Sequence, residues 1–307
     1  MTNKQIHTFS SKRGQIELRP WHNLPVDILS KIMQLLDGID LIHLRNVCTS
    51  WRQAQGLSFS KKLPCLMGHY WGSYQNGSTL SLCSFHLPSP KLRFIRWNII
   101  GDHEWIVGAG ICASKYSWLL LQKLRRSFFY NPFTKDIIQL PDMDIGFNRA
   151  TFSSAPTSSD CICFALQSVK MSDEIYISIC RLGDQNWTTV KMQGFDKVIE
   201  DIVYSDSKFY CVFSGGVLGA FHIADRQWSL LTDMEPITGV QFSARAHMVE
   251  SNGELLLICP CSYEFKIFTY DQSIMSWVQR NSLGDQAIFL GCTSFSVLAL
   301  QETSDLA

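Results

Sequence analysis

The sequence predicts a small all-α unit near the N-terminus followed by an all-β propeller. Three observations carry that prediction. Apolar residues recur at helical spacing between Leu24 and Trp51. From about residue 70 the period falls toward two, in short β-branched and aromatic runs separated by Gly, Asp, Asn, Ser and Pro. A degenerate unit of strand, Asn or Asp turn and bulky strand opener then repeats four times.

In the helical stretch, Ile28, Leu29, Ile32, Leu35 and Leu36 fall on one stripe of a 3.6-residue period. Pro25 suits a first helical turn, where its missing N–H would be unbonded in any case. Asp27 sets a carboxylate near the positive end of the helix dipole. Gly38 ends the run, and Leu41, Leu44, Val47, Cys48 and Trp51 form a second stripe. Two short helices joined by a tight turn show apolar surface on more than one side. A unit this small cannot bury all of it, which predicts a docking partner.

The repeat comprises FFYNPFTKDIIQLP, ISICRLGDQNWTTV, GAFHIADRQWSLL and KIFTYDQSIMSWVQR. Its turn residues are Asn131, Asp184, Asp225 and Asp271; its strand openers are Ile137, Trp187, Trp228 and Trp277. The interval between openers is roughly 40–50 residues, the length of a four-stranded propeller blade. Asn and Asp suit the turn because their side chains cap local amides. A Trp opening a strand is expected to fill the gap between adjacent blades.

Residues 1–20 read as a polar, disordered tail, 21–55 as the helical unit, 56–70 as a connector, 71–299 as the propeller and 300–307 as a second tail. Hydrophobic residues make up 46% and charged residues 18%, enough apolar content to build a core. Lys+Arg 27 balances Asp+Glu 27, which argues against broad attraction to nucleic acid or an anionic membrane. No apolar run approaches the roughly 18 residues of a membrane span, and the first twenty residues lack the apolar segment of a secretory signal. The 11 cysteines therefore read as reduced core thiols, and the cytoplasm, the nucleus or both as the compartment.

No catalytic or cofactor constellation stands out. The Walker, dinucleotide, nucleophile-elbow and zincin patterns are absent from the sequence. Cys161 with Cys163, and Cys259 with Cys261, would each share one face of a strand, but they lack the four-ligand spacing of a zinc site and read as core thiols. The carboxylate groups Asp142 with Asp144, Asp173 with Glu174 and Glu200 with Asp201 read as solvated turn charges, and His103-Glu104-Trp105 as a loop. Gly215, Gly216 and Gly219 read as a tight hairpin rather than a phosphate cradle, since no helix pattern follows them.

Leu24-Pro25, Ile28-Leu29, Ile32, Leu35, Leu41, Leu44-Arg45, Val47-Cys48 and Trp51-Arg52 resemble an F-box at nearly every anchor position. With LPCLM, the NPFT turn, SLGDQAIFLG and SFSV, the chain from about residue 20 to 299 resembles plant F-box proteins with a C-terminal, kelch-like β-propeller of unassigned function. The resemblance implies a non-catalytic substrate adaptor of an SCF ubiquitin ligase, without cofactor or metal. Its F-box would dock on a Skp-type linker and, through it, cullin and RING subunits, while the propeller holds an unidentified target protein. Leu24, Pro25, Ile28, Leu29, Ile32, Leu41, Leu44, Val47 and Trp51 would share the docking contacts and the small local core. In such relatives the chain runs on past the SLGD segment. The ring is therefore expected either to lack its closing strands or to be closed by strands around 70–100. An alternative role follows: a binding protein outside ubiquitination that competes with longer relatives.

Overall fold

The computed structural model describes residues 23–36, 44, 47–53 and 109–298, save 133, 145, 169–171, 194–196 and 241, together with the backbone of 65–70, 79–84 and 93–97. Both expected tails, Gly38, Leu41 and the segment 103–105 lie outside the described residues. The chain divides into two compact units, Met1–Glu104 and Trp105–Ala307.

Among the described residues, the first unit holds α1 (Val26–Leu35), α2 (Thr49–Gln53) and three strands, β1 (Cys65–Tyr70), β2 (Thr79–Ser84) and β3 (Arg93–Trp97). The strands form one antiparallel sheet in sequence order, with Cys65 opposite Ser84 and Tyr70 opposite Thr79. A strand at Cys65–Tyr70 lies inside the stretch expected as a connector, and β1–β3 fall within the first compact unit. The short alternating run CLMGHY satisfies its backbone by pairing with TLSLCS, which an unpaired connector would leave to water.

The second unit is a propeller. Its first sheet is β4 (Gly110–Lys115), β5 (Trp118–Lys123), β6 (Arg126–Tyr130) and β7 (Ile137–Gln139). The second is β8 (Arg149–Phe152), β9 (Ile162–Ser168), β10 (Glu174–Arg181) and β11 (Thr188–Gln193). The third is β12 (Ile199–Ser205), β13 (Lys208–Phe213), β14 (Leu218–His222) and β15 (Gln227–Leu230). The fourth is β16 (His247–Ser251), β17 (Glu254–Pro260), β18 (Phe265–Asp271) and β19 (Ser276–Arg280), and a hairpin of β20 (Gln286–Phe289) and β21 (Phe295–Leu298) follows. Each four-stranded sheet is an antiparallel meander in sequence order, and the first strands lie side by side: β4 with β8, β8 with β12, β12 with β16. β21 lies beside β16, and the Ser114 N–H of β4 donates to Thr293 Oγ1 at 2.9 Å, so the last hairpin reaches both the fourth and the first sheet.

The core lies between the sheets, which explains why strands such as WLLLQK and ELLLICP are apolar on both faces. Trp118, Leu120 and Phe129 of the first sheet meet Phe152, Cys163 and Cys180 of the second. Phe164 stacks on Phe209 at 4.3 Å between the second and third. Val212 and Leu218 meet Met248, Leu257 and Phe268 between the third and fourth. Cys161 and Cys259 are likewise buried, and burial pushes the Cys259 thiol up to about 12.

The repeat seen in the sequence is the turn from third to fourth strand of each sheet. Asn131, Asp184, Asp225 and Asp271 accept from the backbone N–H of Thr134, Arg181, Gln227 and Ser273 respectively. Trp187, Trp228 and Trp277 each pack into an inter-sheet core. Two readings change. Gly215 and Gly216 form the β13–β14 turn at φ 79° and 84°, but Gly219 lies inside β14 under the Trp228 ring. Glu200 and Asp201 sit on β12, not on a solvated turn, and Asp201 is buried.

Candidate functional site

α1 begins where Pro25, which has no N–H to leave unsatisfied, gives its carbonyl to the Leu29 N–H at 3.0 Å. Asp27 stands in the first turn. One side of the helix builds a local core: Leu29, Met33 and Leu44 are buried, and Ile32, Leu36 and Trp51 pack against them. Pro25 is exposed, and Val26, Ile28 and Val47 keep 60%, 43% and 59% of their surface open.

The nine expected F-box residues differ in burial. Leu29 and Leu44 are core; Ile32 and Trp51 are half-buried against it. Pro25, Ile28 and Val47 face solvent, Leu24 is half-buried and Leu41 lies outside the described residues. Met33 was missing from the sequence-based set, although it follows Leu29 by one helical turn.

The propeller carries a polar belt where its inner strands begin. Arg149 donates from Nε to the Glu200 carbonyl at 3.0 Å and from Nη1 to the Asn148 carbonyl at 2.7 Å. The Glu200 carboxylate accepts from the Ala246 N–H at 3.2 Å. Asp201 accepts from the N–H of Ile202 and of Met248, at 2.9 and 3.0 Å. Arg245 stands 3.9 Å from Asp201 and donates to the Gly291 carbonyl at 2.9 Å. His247 Nδ1 accepts from Arg245 at 3.3 Å and from the Ser294 hydroxyl at 3.1 Å.

Burial decides the charge states here. It pushes the Asp201 carboxyl up to about 6, although the Met248 N–H and Arg245 pull it down. Burial, then the Arg245 and Arg149 charges, press His247 down to about 4. With Nδ1 accepting twice, the neutral ring carries its proton on Nε2. The belt spends its groups on neighbouring strands: β8 to β12, β12 to β16, β16 to the segment before β21. Its chemistry is that of a staple around the ring. Sequence reasoning missed it because residues from separate sheets converge with no spacing signal.

Residues 21–59 match the F-box domain, and residues 84–305 match the KIB1-4 beta-propeller. F-box protein At4g00893 of Arabidopsis thaliana is 28% identical over 286 residues, covering 87% of this chain and 70% of its own length. F-box/kelch-repeat protein At1g57790 of the same plant is 28% identical over 282 residues, covering 88% of this chain and 76% of its own length. F-box protein At3g56470, also of Arabidopsis thaliana, is 27% identical over 299 residues, covering 91% and 75%. An F-box joined to a propeller suggests, in general terms, a substrate adaptor of SCF ligases with a Skp-type partner. The chain belongs to the KIB1-4 beta-propeller family and carries an F-box ahead of its propeller.

Proposed function

We propose that this chain is a substrate-recognition adaptor of an SCF ubiquitin ligase. Its helical unit docks on a Skp-type linker through Pro25, Val26, Ile28 and Val47, and its propeller holds a target protein for ubiquitination. The observation that carries the docking assignment is the split within one short helix: Leu29 and Met33 are spent on the local core, while Val26 and Ile28 remain open to water. Covering such apolar side chains is worth about 25 cal/mol per Å² of surface removed from water. The chain contributes by tethering: holding a target beside the ubiquitin-charged enzyme raises the effective concentration of its lysines. We also propose a cytosolic or nuclear setting, in keeping with the free thiols among the described residues.

The test is co-purification of the full chain with a Skp-type linker and cullin, beside an Ile28→Ala/Val47→Asp variant. The unaltered chain is expected to retain both partners, and the variant to lose both while keeping its thermal unfolding transition. Capture of the linker without cullin would favour the competing-binder role. Capture of neither partner would overturn the docking assignment.

A further inference from the structure

The turns that repeat around the propeller build a second feature, at the edge between the second and third sheets. A cavity of about 450 Å³ lies there, within the roughly 300–1,000 Å³ range of ligand pockets. The β10–β11 turn supplies Arg181, Asp184, Asn186 and Thr188; the β14–β15 turn supplies Arg226. Ile179 gives it an apolar wall.

The charge balance of this cavity is positive, two arginines against one aspartate. The single carboxylate in the lining, Asp184, is committed to the Arg181 backbone N–H at 2.8 Å. Neither the Arg181 nor the Arg226 guanidinium has an ion pair or hydrogen-bond acceptor among the described residues, and both side chains are exposed. The polar belt is the contrast: there each arginine gives hydrogen bonds to backbone carbonyls. Two guanidinium groups against one carboxylate leave the lining with a net positive charge, which suits planar or tetrahedral anions.

We propose that this recess binds an acidic peptide segment, taking its carboxylate or phosphoryl groups between Arg181 and Arg226. The inference rests on the reading of the propeller as the target-holding part and names the chemistry it selects. The two arginines come from adjacent sheets, so a ligand bridging them engages both turns at once. Gly183 at φ 89° and Arg226 at φ 57° fix the two turns in left-handed geometry, and a Gln at 226 keeps the same backbone demand as Arg.

The test is fluorescence anisotropy of the full chain with three labelled probes: hexaglutamate, hexaglutamine and a hexapeptide alternating phosphoserine with glycine. The Arg181→Gln/Arg226→Gln variant is compared with Arg280→Gln, whose arginine is paired with Glu254 on the fourth sheet. We expect one or both acidic probes to bind and hexaglutamine not to bind. Binding should weaken at least tenfold in the double variant, hold in Arg280→Gln, and fall with added salt. A stronger phosphoserine probe would assign the recess to phosphorylated segments, and a stronger glutamate probe to carboxylate-rich ones. Absence of binding by both acidic probes, or equal binding by the two variants, would overturn the proposal. Linker capture is read separately through Ile28 and Val47, so failure of the docking assignment would leave this result unmoved.

Discussion

Trp277 donates its indole N–H to the carbonyl oxygen of Gly216 at 2.6 Å, fastening the last strand of the fourth sheet to the β13–β14 turn of the third. Both groups are buried, so the bond closes a polar account that water cannot reach. Trp277→Phe keeps an aromatic ring but leaves that carbonyl unsatisfied. We expect a loss of about 1–3 kcal/mol, read as a lower urea midpoint with an unchanged slope. An unchanged midpoint would show that the bond contributes nothing net.

Gly219 is fixed by contact rather than by its backbone angle. A Cβ built there would stand 2.2 Å from Trp228 Cζ2. Gly219→Ala is expected to cost about 1–3 kcal/mol, the usual range for overpacking a filled core. Trp228→Leu in the same chain should recover part of that loss. A double-mutant cycle checks this, and simple additivity of the two changes would sink the contact as the cause.

Asp201 and His247 titrate in opposite senses over one pH window. The Asp201 carboxyl is raised to about 6, above its usual value, so the stability it contributes is full below about pH 4 and lost as pH rises through 6. His247 is lowered to about 4, so its contribution is full above about pH 6.5 and lost as pH falls through 4. In the unaltered chain the two offset each other. Relative to it, Asp201→Asn should gain stability with rising pH between 4 and 6.5, and His247→Gln should lose it. Each change is on the order of 2–3 kcal/mol across the window. Urea midpoints at three pH values decide the matter, and slopes of the same sign would refute the pairing.

Leu29 and Ile28 are neighbours in sequence with different work. Leu29→Ala removes a side chain that is 3% exposed and should cost the helical unit about 2–5 kcal/mol. Ile28→Ala, at a position 43% exposed, should cost under about 1 kcal/mol. Limited proteolysis within residues 23–53 reads the difference. Equal protection of the two variants would contradict the division of the helix into a buried and a solvent-facing side.

Much of this architecture was legible in the chain. The Asn131, Asp184, Asp225 and Asp271 turns repeat because each sheet must solve the same local problem, and each side chain caps a nearby backbone amide. The tryptophans were legible for the same reason: every gap between sheets needs filling. Non-local features were not legible. Asp201 looked like a solvated turn charge because its partners, Met248 and Arg245, lie more than forty residues away. Helical periodicity placed Ile28 and Leu29 on one stripe, yet adjacent helical positions point about 100° apart, and only the packing of Leu44 and Met33 selects which is buried. Strand β1 was missed because its pairing partner, Thr79–Ser84, is a separate stretch of sequence, and pairing leaves no local signal.

The bond between Ser114 and Thr293 spans 179 positions of the chain, and this has a consequence for how the protein is made. A ribosome adds roughly 5–20 residues per second, so β4 is complete roughly ten to forty seconds before the hairpin that flanks it exists. During that interval the Ser114 N–H of the first sheet lacks its Thr293 partner. Long-range closure of this kind is intrinsically slow, so the contact between the first sheet and the last hairpin is among the late events of synthesis.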